Sequence, residues 1–177
     1  MTLQQILDAI AALPEPERRD LLARLRELYG AAPAPRQMGL NLEAWSGPAD
    51  YLIVFDGGSQ GNPGPGYGSY ALFEGARPGE VTRLSFPGQL TNNEAEYQTL
   101  LAALDDLLRR LGPGAGRATV EVRGDSQLVI EQVSGKWKAK DDRMRSLRDD
   151  VRARLNQFQR FRLTLQPRDD SVRVLGH

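Results

Sequence analysis

YLIVFDGGSQGNPGPG, residues 51–66, is a run of apolar and β-branched residues that stops at an acid and then gives way to glycine, asparagine and proline. Such a run reads as a β-strand, and the glycines and prolines behind it read as its terminator. Alternation sends Leu52 and Val54 to one face and Ile53 and Phe55 to the other. Both faces are apolar, so the spacing predicts a central strand covered on two sides. Asp56 then stands at the strand's end, where an α/β sheet holds a side chain rigidly at its edge.

Downstream, Tyr67–Glu74 and Glu80–Phe86 are two further strand-like runs separated by the short turn GARPG. With the first strand they predict an antiparallel meander. Next, Tyr97, Leu100, Leu101, Leu104, Leu107, Leu108 and Leu111 recur at helical spacing, in a helix that starts near Asn92 or Asn93 and is stopped by Gly112. Glu96 lies in its first turns. ATVEVR, residues 118–123, alternates as a strand and runs into Gly124-Asp125-Ser126, where a helix of about two turns is expected. After GKWKAK, an amphipathic helix over Asp141–Phe158 presents Met144, Leu147, Val151, Leu155 and Phe158. Phe161–Gln166 is a last strand, and the chain then runs out. The order is βββαβαβ, one helix being in two pieces. The fold class expected is α/β, a mixed five-stranded sheet flanked by helices.

Upstream, residues 1–30 carry two short helical patterns broken at Leu13-Pro14-Glu15-Pro16, a helical hairpin too short to fold well alone. Residues 31–50 are a linker rich in proline, alanine and glycine, which leaves 51–177 as the main domain. The hairpin is expected to dock, self-associate or bind a protein partner.

In 177 residues of 40% hydrophobic content there is room for one good core and a small appendage. Lys plus Arg and Asp plus Glu balance at 23 each, so no global field announces a polyanionic partner. The lysines, however, all fall together at Lys136, Lys138 and Lys140. With no cysteine, disulfides, thiolate metal sites and cysteine nucleophiles are excluded. No apolar run is long enough for a bilayer, and the N-terminus lacks a signal peptide's basic head and apolar middle. A soluble cytoplasmic protein with no membrane association is expected.

Three carboxylates hold comparable places. Asp56 and Asp125 end strands, and Glu96 begins a helix. Should they converge, protons or hard cations must balance them, and an all-oxygen set suits magnesium or manganese rather than zinc. Two such ions about 4 Å apart activate water and stabilise a leaving oxygen in phosphodiester cleavage. On spacing alone each acid reads first as an ordinary cap or surface residue, Asp125 as the N-cap of the helix behind it. The glycine loop is neither a P-loop, since no Gly-Lys-Ser/Thr follows, nor a dinucleotide fingerprint, since a strand follows it. It is a plain connection, or a place where Gly57 and Gly58 admit a nucleic-acid backbone and Asn62 bonds to it.

FDGGSQGNPGPGYGSYAL, TNNEAEYQTLLAAL and RGDSQLVIEQVSGKWKAK, in this order and spacing, resemble the type 1 ribonuclease H family over about residues 51–174. The resemblance implies a metal-dependent endoribonuclease. It would hydrolyse the RNA strand of RNA–DNA hybrids with two Mg2+ or Mn2+ ions, leaving 3′-hydroxyl and 5′-phosphate ends. It implies Asp56, Glu96 and Asp125 as metal-binding acids, and Asn62, Asn92, Asn93 and Gln127 as readers of the hybrid's minor groove and backbone. Side-chain amides both give and accept hydrogen bonds, which suits a 2′-hydroxyl. In the family the GKWKAK region commonly binds the DNA backbone, and Trp137 between Lys136 and Lys138 fits such a platform. Core packing of Trp137 is the alternative.

The family's fourth acid departs from the pattern. Arg168 and Ser171 keep the frame Arg-x-x-Asn-x-x-Ala-Asp, but counting puts Val174 and Leu175 where Ala and Asp belong. His177 as the fourth ligand is ranked first, ahead of Asp169, Asp170 or no ligand at all, and an imidazole would favour manganese. A terminal residue without a role is the plain alternative. A hybrid-binding module without turnover, and a different nuclease or transposase of the same fold, are the competing functions. The hairpin lacks the aromatic and glycine pattern of the hybrid-binding domain that some members carry.

Overall fold

The computed structural model describes residues 47–77 and 79–176, together with scattered positions between 9 and 24. Two compact units divide at Gly39 and Leu40. Positions 9, 10, 16–18, 20, 21 and 24 are helical. The hairpin as a whole and the 31–46 part of the linker lie outside the described residues, as does His177.

The second unit carries a five-stranded sheet of β1 (Tyr51–Ser59), β2 (Gly64–Glu74), β3 (Glu80–Leu90), β4 (Thr119–Gly124) and β5 (Arg160–Leu165), in the order β3-β2-β1-β4-β5. β1 to β3 form the expected antiparallel meander, and β4 and β5 join parallel to β1. β2 and β3 each run past the expected bounds, because the prolines and glycines of their ends still pair, Gly64 with Leu90 and Pro65 with Gln89, across a register shift. A run of apolar spacing misses such ends.

α1 (Asn92–Leu111) begins at Thr91, whose hydroxyl accepts from the Glu94 amide while the Glu94 carboxylate accepts from the Thr91 amide. This reciprocal capping box is worth about 1 kcal/mol. The helix ends at Gly112, whose N–H donates to the Leu108 carbonyl. Its stripe lies with Ile53, Phe55, Val120 and Val122 in the main core, where Leu100 and Leu104 are wholly buried. Each such leucine contributes roughly 1.5–3 kcal/mol. α2 (Gln127–Ser134) and α3 (Asp142–Leu155) complete that layer. The α2 cap is Ser126, which corrects the reading of Asp125 as N-cap and leaves the Asp125 carboxylate for other work.

The opposite face holds Val54, Ala71 and Leu175, flanked by Leu52 and Val174. Its cover is α4 (Arg168–Leu175), an element absent from the expected order. Among the described residues no helix is long and apolar enough to cross a membrane.

Candidate active site

β1 and β4 are parallel neighbours with Phe55 opposite Gly124. The next residue on each chain is an acid, so Asp56 and Asp125 emerge side by side at one sheet edge. Glu96 is brought to them by a backbone contact. A Cβ on Gly57 would lie 2.6 Å from the Ala95 carbonyl oxygen and 2.7 Å from the Glu96 nitrogen, so β1 touches the first turns of α1 with no room for a side chain. Gly124 serves the same end, since a Cβ there would meet the Phe55 ring at 2.6 Å.

Glu96 accepts a hydrogen bond of 2.5 Å from the Ser126 hydroxyl. Burial, followed by the charges of Asp56 and Asp125, pushes its pKa up to about 7, against the opposing pull of Ser126 and Arg168. Glu121 shows the contrast. It is also buried, but Arg123, Arg162 and Thr164 bond to it and outweigh the burial, holding its pKa down at about 2. Glu121 is a structural acid tying β4 to β5, whereas at Glu96 burial prevails over Ser126 and Arg168. At the rim, a guanidinium nitrogen of the exposed Arg168 stands 3.5 Å from the Asp125 carboxylate.

Among the described residues no group of three or more His, Cys, Asp or Glu side chains is drawn close enough to hold a metal ion as it stands. Ser126 and Arg168 engage two of the acids instead. The donor set itself, three carboxylates with only oxygen donors, suits a hard divalent cation. In chelator the folded protein holds on Glu96 a proton that the unfolded chain has released, so stability falls as pH rises from about 4.5 to about 7. Glu96→Gln should therefore melt with the wild type below that window and about 2–4 °C or more above it at pH 8. Equal melting points at both pH values would contradict the buried charge.

The glycine loop is tied to the start of α1. The Asn92 side-chain oxygen accepts from the Ser59 amide and hydroxyl, each at 2.9 Å, and the Asn62 oxygen accepts from the Asn92 amide at 3.1 Å. These bonds use the oxygens of Asn62 and Asn92, so a ligand would meet their NH2 ends. Beside them runs a trough. One part, about 360 Å3, is lined by Asn62, Thr91, Asn93 and Arg143. The other, about 570 Å3, is lined by Asn93, Gln132, Trp137, Lys138 and Lys140. Trp137 is 46% exposed rather than core. Lys136 also lines the trough, with its ammonium 3.4 Å from Glu131. Gln127 opens α2 directly after Asp125 and Ser126.

The structure thus brings Asp56, Glu96 and Asp125 together, with Asn62, Asn92 and Asn93 at the same helix start. The small size of Gly57 is demanded by α1, and that of Gly58 by the Tyr67 ring, whose oxygen a Cβ would approach to 2.7 Å. Leu175, at the counted place of the fourth acid, is 1% exposed and packs on Val54 and Ala71. Asp169 and Asp170 sit in the first turn of α4, Asp170 paired with Arg173 at 3.2 Å. Two participants escaped the reading of the sequence. Ser126 was read only as the start of the helix behind Asp125, while Arg168 was visible as a frame residue but not as the ion partner of Asp125.

A family model described as reverse transcriptase-like matches residues 74–174. A bifunctional protein of Mycobacterium tuberculosis is 40% identical over 118 residues, 66% of this chain and 31% of that protein. Ribonuclease HI of Halobacterium salinarum is 37% identical over 125 residues, 68% of this chain and 58% of that protein. The chain therefore spans a third to three fifths of these relatives. The solved RNase H1 of the same archaeon superposes with a TM-score of 0.62 at 35% identity, covering 70% of this chain and 90% of that one. LC11-RNase H1, solved in complex with an RNA/DNA hybrid, gives a TM-score of 0.64 at 28% identity over 70% of this chain and 90% of that one.

Proposed function

The chain belongs to the type 1 ribonuclease H family, and from that premise we propose that it hydrolyses the RNA strand of RNA–DNA hybrids, leaving 3′-hydroxyl and 5′-phosphate ends. The observation that carries this reading is the meeting of Asp56, Glu96 and Asp125 at one sheet edge, with Glu96 pushed up to about 7 by burial and by the other two. Asp56, Glu96 and Asp125 would hold two magnesium or manganese ions, which when bound supply water activation and neutralise charge on the leaving oxygen.

The remaining work falls to the chain's own groups. Ser126 fixes the direction of the Glu96 carboxylate through its hydroxyl. Arg168 sets a cation at the rim, where it balances Asp125 and attracts the phosphate that enters. The NH2 ends of Asn62 and Asn92, with Asn93 and Gln127, would read the hybrid's sugar edge, where a 2′-hydroxyl separates RNA from DNA. Lys138, Lys140 and the exposed face of Trp137, with Lys136 beside them, would receive the phosphates of the DNA strand. The fourth ligand is left to His177, Asp169 or Asp170, or to none.

A second reading, a hybrid-binding module without turnover, is favoured by one observation, the burial of Leu175 at the place counted for an acid. Cleavage of a labelled hybrid in magnesium, manganese and chelator separates the two. Cutting confined to the RNA strand and lost in chelator is expected. Tight binding without cutting in either metal would overturn the enzyme, and cutting of double-stranded DNA would overturn the specificity.

A further inference from the structure

Four tyrosines lie among the described residues, and three place the hydroxyl on an internal acceptor. Tyr97 donates to Gln132 at 2.9 Å, Tyr70 to Asp106 at 3.1 Å and Tyr51 to Glu74 at 3.5 Å. The hydroxyl of Tyr67 has no hydrogen-bond partner among the described residues, and the residue is 46% exposed. Leaving an aromatic ring half in water at a sheet position forgoes apolar burial, so its place matters.

That place is beside the acids. In the β1–β2 register Ser69 faces Asp56, and Tyr67 faces Gly58. Directly opposed residues share a face, so Tyr67 rises on the same side of the sheet as Asp56. Its ring lies over Gly58, whose Cβ would come within 2.7 Å of the phenolic oxygen. Gly58 is two residues beyond Asp56, a separation of about 7 Å along a strand. This is comparable to the step between neighbouring phosphates of one nucleic-acid strand.

Resting on the ribonuclease reading above, we propose that Tyr67 is a substrate contact for the RNA strand. Its hydroxyl donates to a non-bridging oxygen of the phosphate next to the scissile one, and its ring packs on the ribose between them. The missing side chain of Gly58 leaves the space in which the ring lies.

The rival role is structural, a ring that merely shields a glycine in a sheet. Two readouts separate them. The first is the Kd for a labelled RNA–DNA hybrid in chelator, measured with the wild type, Tyr67→Phe and Tyr67→Ala. The second is KM and kcat for cleavage in magnesium or manganese. Tyr67→Ala should weaken Kd and raise KM about tenfold, with kcat changed far less, and Tyr67→Phe should lose about threefold. A hybrid with an uncharged methylphosphonate at the neighbouring linkage should bind wild type and Tyr67→Phe equally. If both variants bind within twofold of the wild type while Tyr67→Ala melts lower, the ring is only a cover and the contact is overturned. Failure of the ribonuclease reading would show in the wild type's own cleavage, whereas failure of the contact shows only in the ratio of variant to wild-type Kd.

Discussion

Asp125→Asn should abolish cleavage of an RNA–DNA hybrid, by about 10³-fold or more, while hybrid binding and the melting temperature stay near wild type. The substitution keeps the side chain's size and one oxygen, and removes only the charge. Asp125 stands beside Asp56 because Phe55 and Gly124 are paired in parallel strands, and its charge contributes to pushing up Glu96. Without it the cluster loses one of the three carboxylates that suit a divalent cation. Its ion pair with Arg168 is made by an arginine whose side chain is 72% exposed, so losing that pair should change stability by only about 0–1 kcal/mol. Rate and affinity are therefore expected to separate. Cleavage assays with anisotropy on the same hybrid would measure both, and retained cutting would remove Asp125 from the reacting group.

Gly57→Ala should damage both stability and rate. The new methyl would stand 2.6 Å from the Ala95 carbonyl oxygen and 2.7 Å from the Glu96 nitrogen. Both obstacles are backbone atoms of α1 and cannot rotate aside. β1 and the start of α1 must separate, at about 1–3 kcal/mol for overpacking in a tight core. Glu96 moves with its own backbone, and a misplacement on the order of 1 Å costs roughly 10²-fold in rate. Gly114→Ala is the control, since nothing lies within 4 Å of the Cβ it would add. Thermal melts and hybrid cleavage of the two variants are the measurement. A Gly57→Ala protein that melts and cuts like Gly114→Ala would refute the contact between β1 and α1 as the device that sets Glu96.

Much of the sheet was legible because its signals are local. The continuous apolar run YLIVF, the alternation of VEV and the period of 3.6 from Tyr97 to Leu111 are each written within one element. The start of α1 was legible to within one residue, at Asn92 of the expected pair Asn92 and Asn93. α4 was not legible, since only Ser171 and Leu175 of its eight residues are buried. One pair at spacing four inside RDDSVRVL is too little pattern to call a helix. The face of β1 that carries Leu52 and Val54 announced that something must cover it, but not what.

The site divides in the same way. Chain order and composition alone determined that three acids end or begin elements, that no thiol chemistry exists, and that the lysines gather around Trp137. Only the tertiary structure decided that Glu96 bonds to Ser126, that Arg168 faces Asp125, and that Glu121 is neutralised by two arginines while Glu96 is not. It likewise decided that Tyr67 lies over Gly58 on the side of Asp56. The physical reason is that a residue's period reports its own element. The charge around an acid, and the ring beside it, depend on the register between strands and on the contact between β1 and α1, which join residues tens of positions apart.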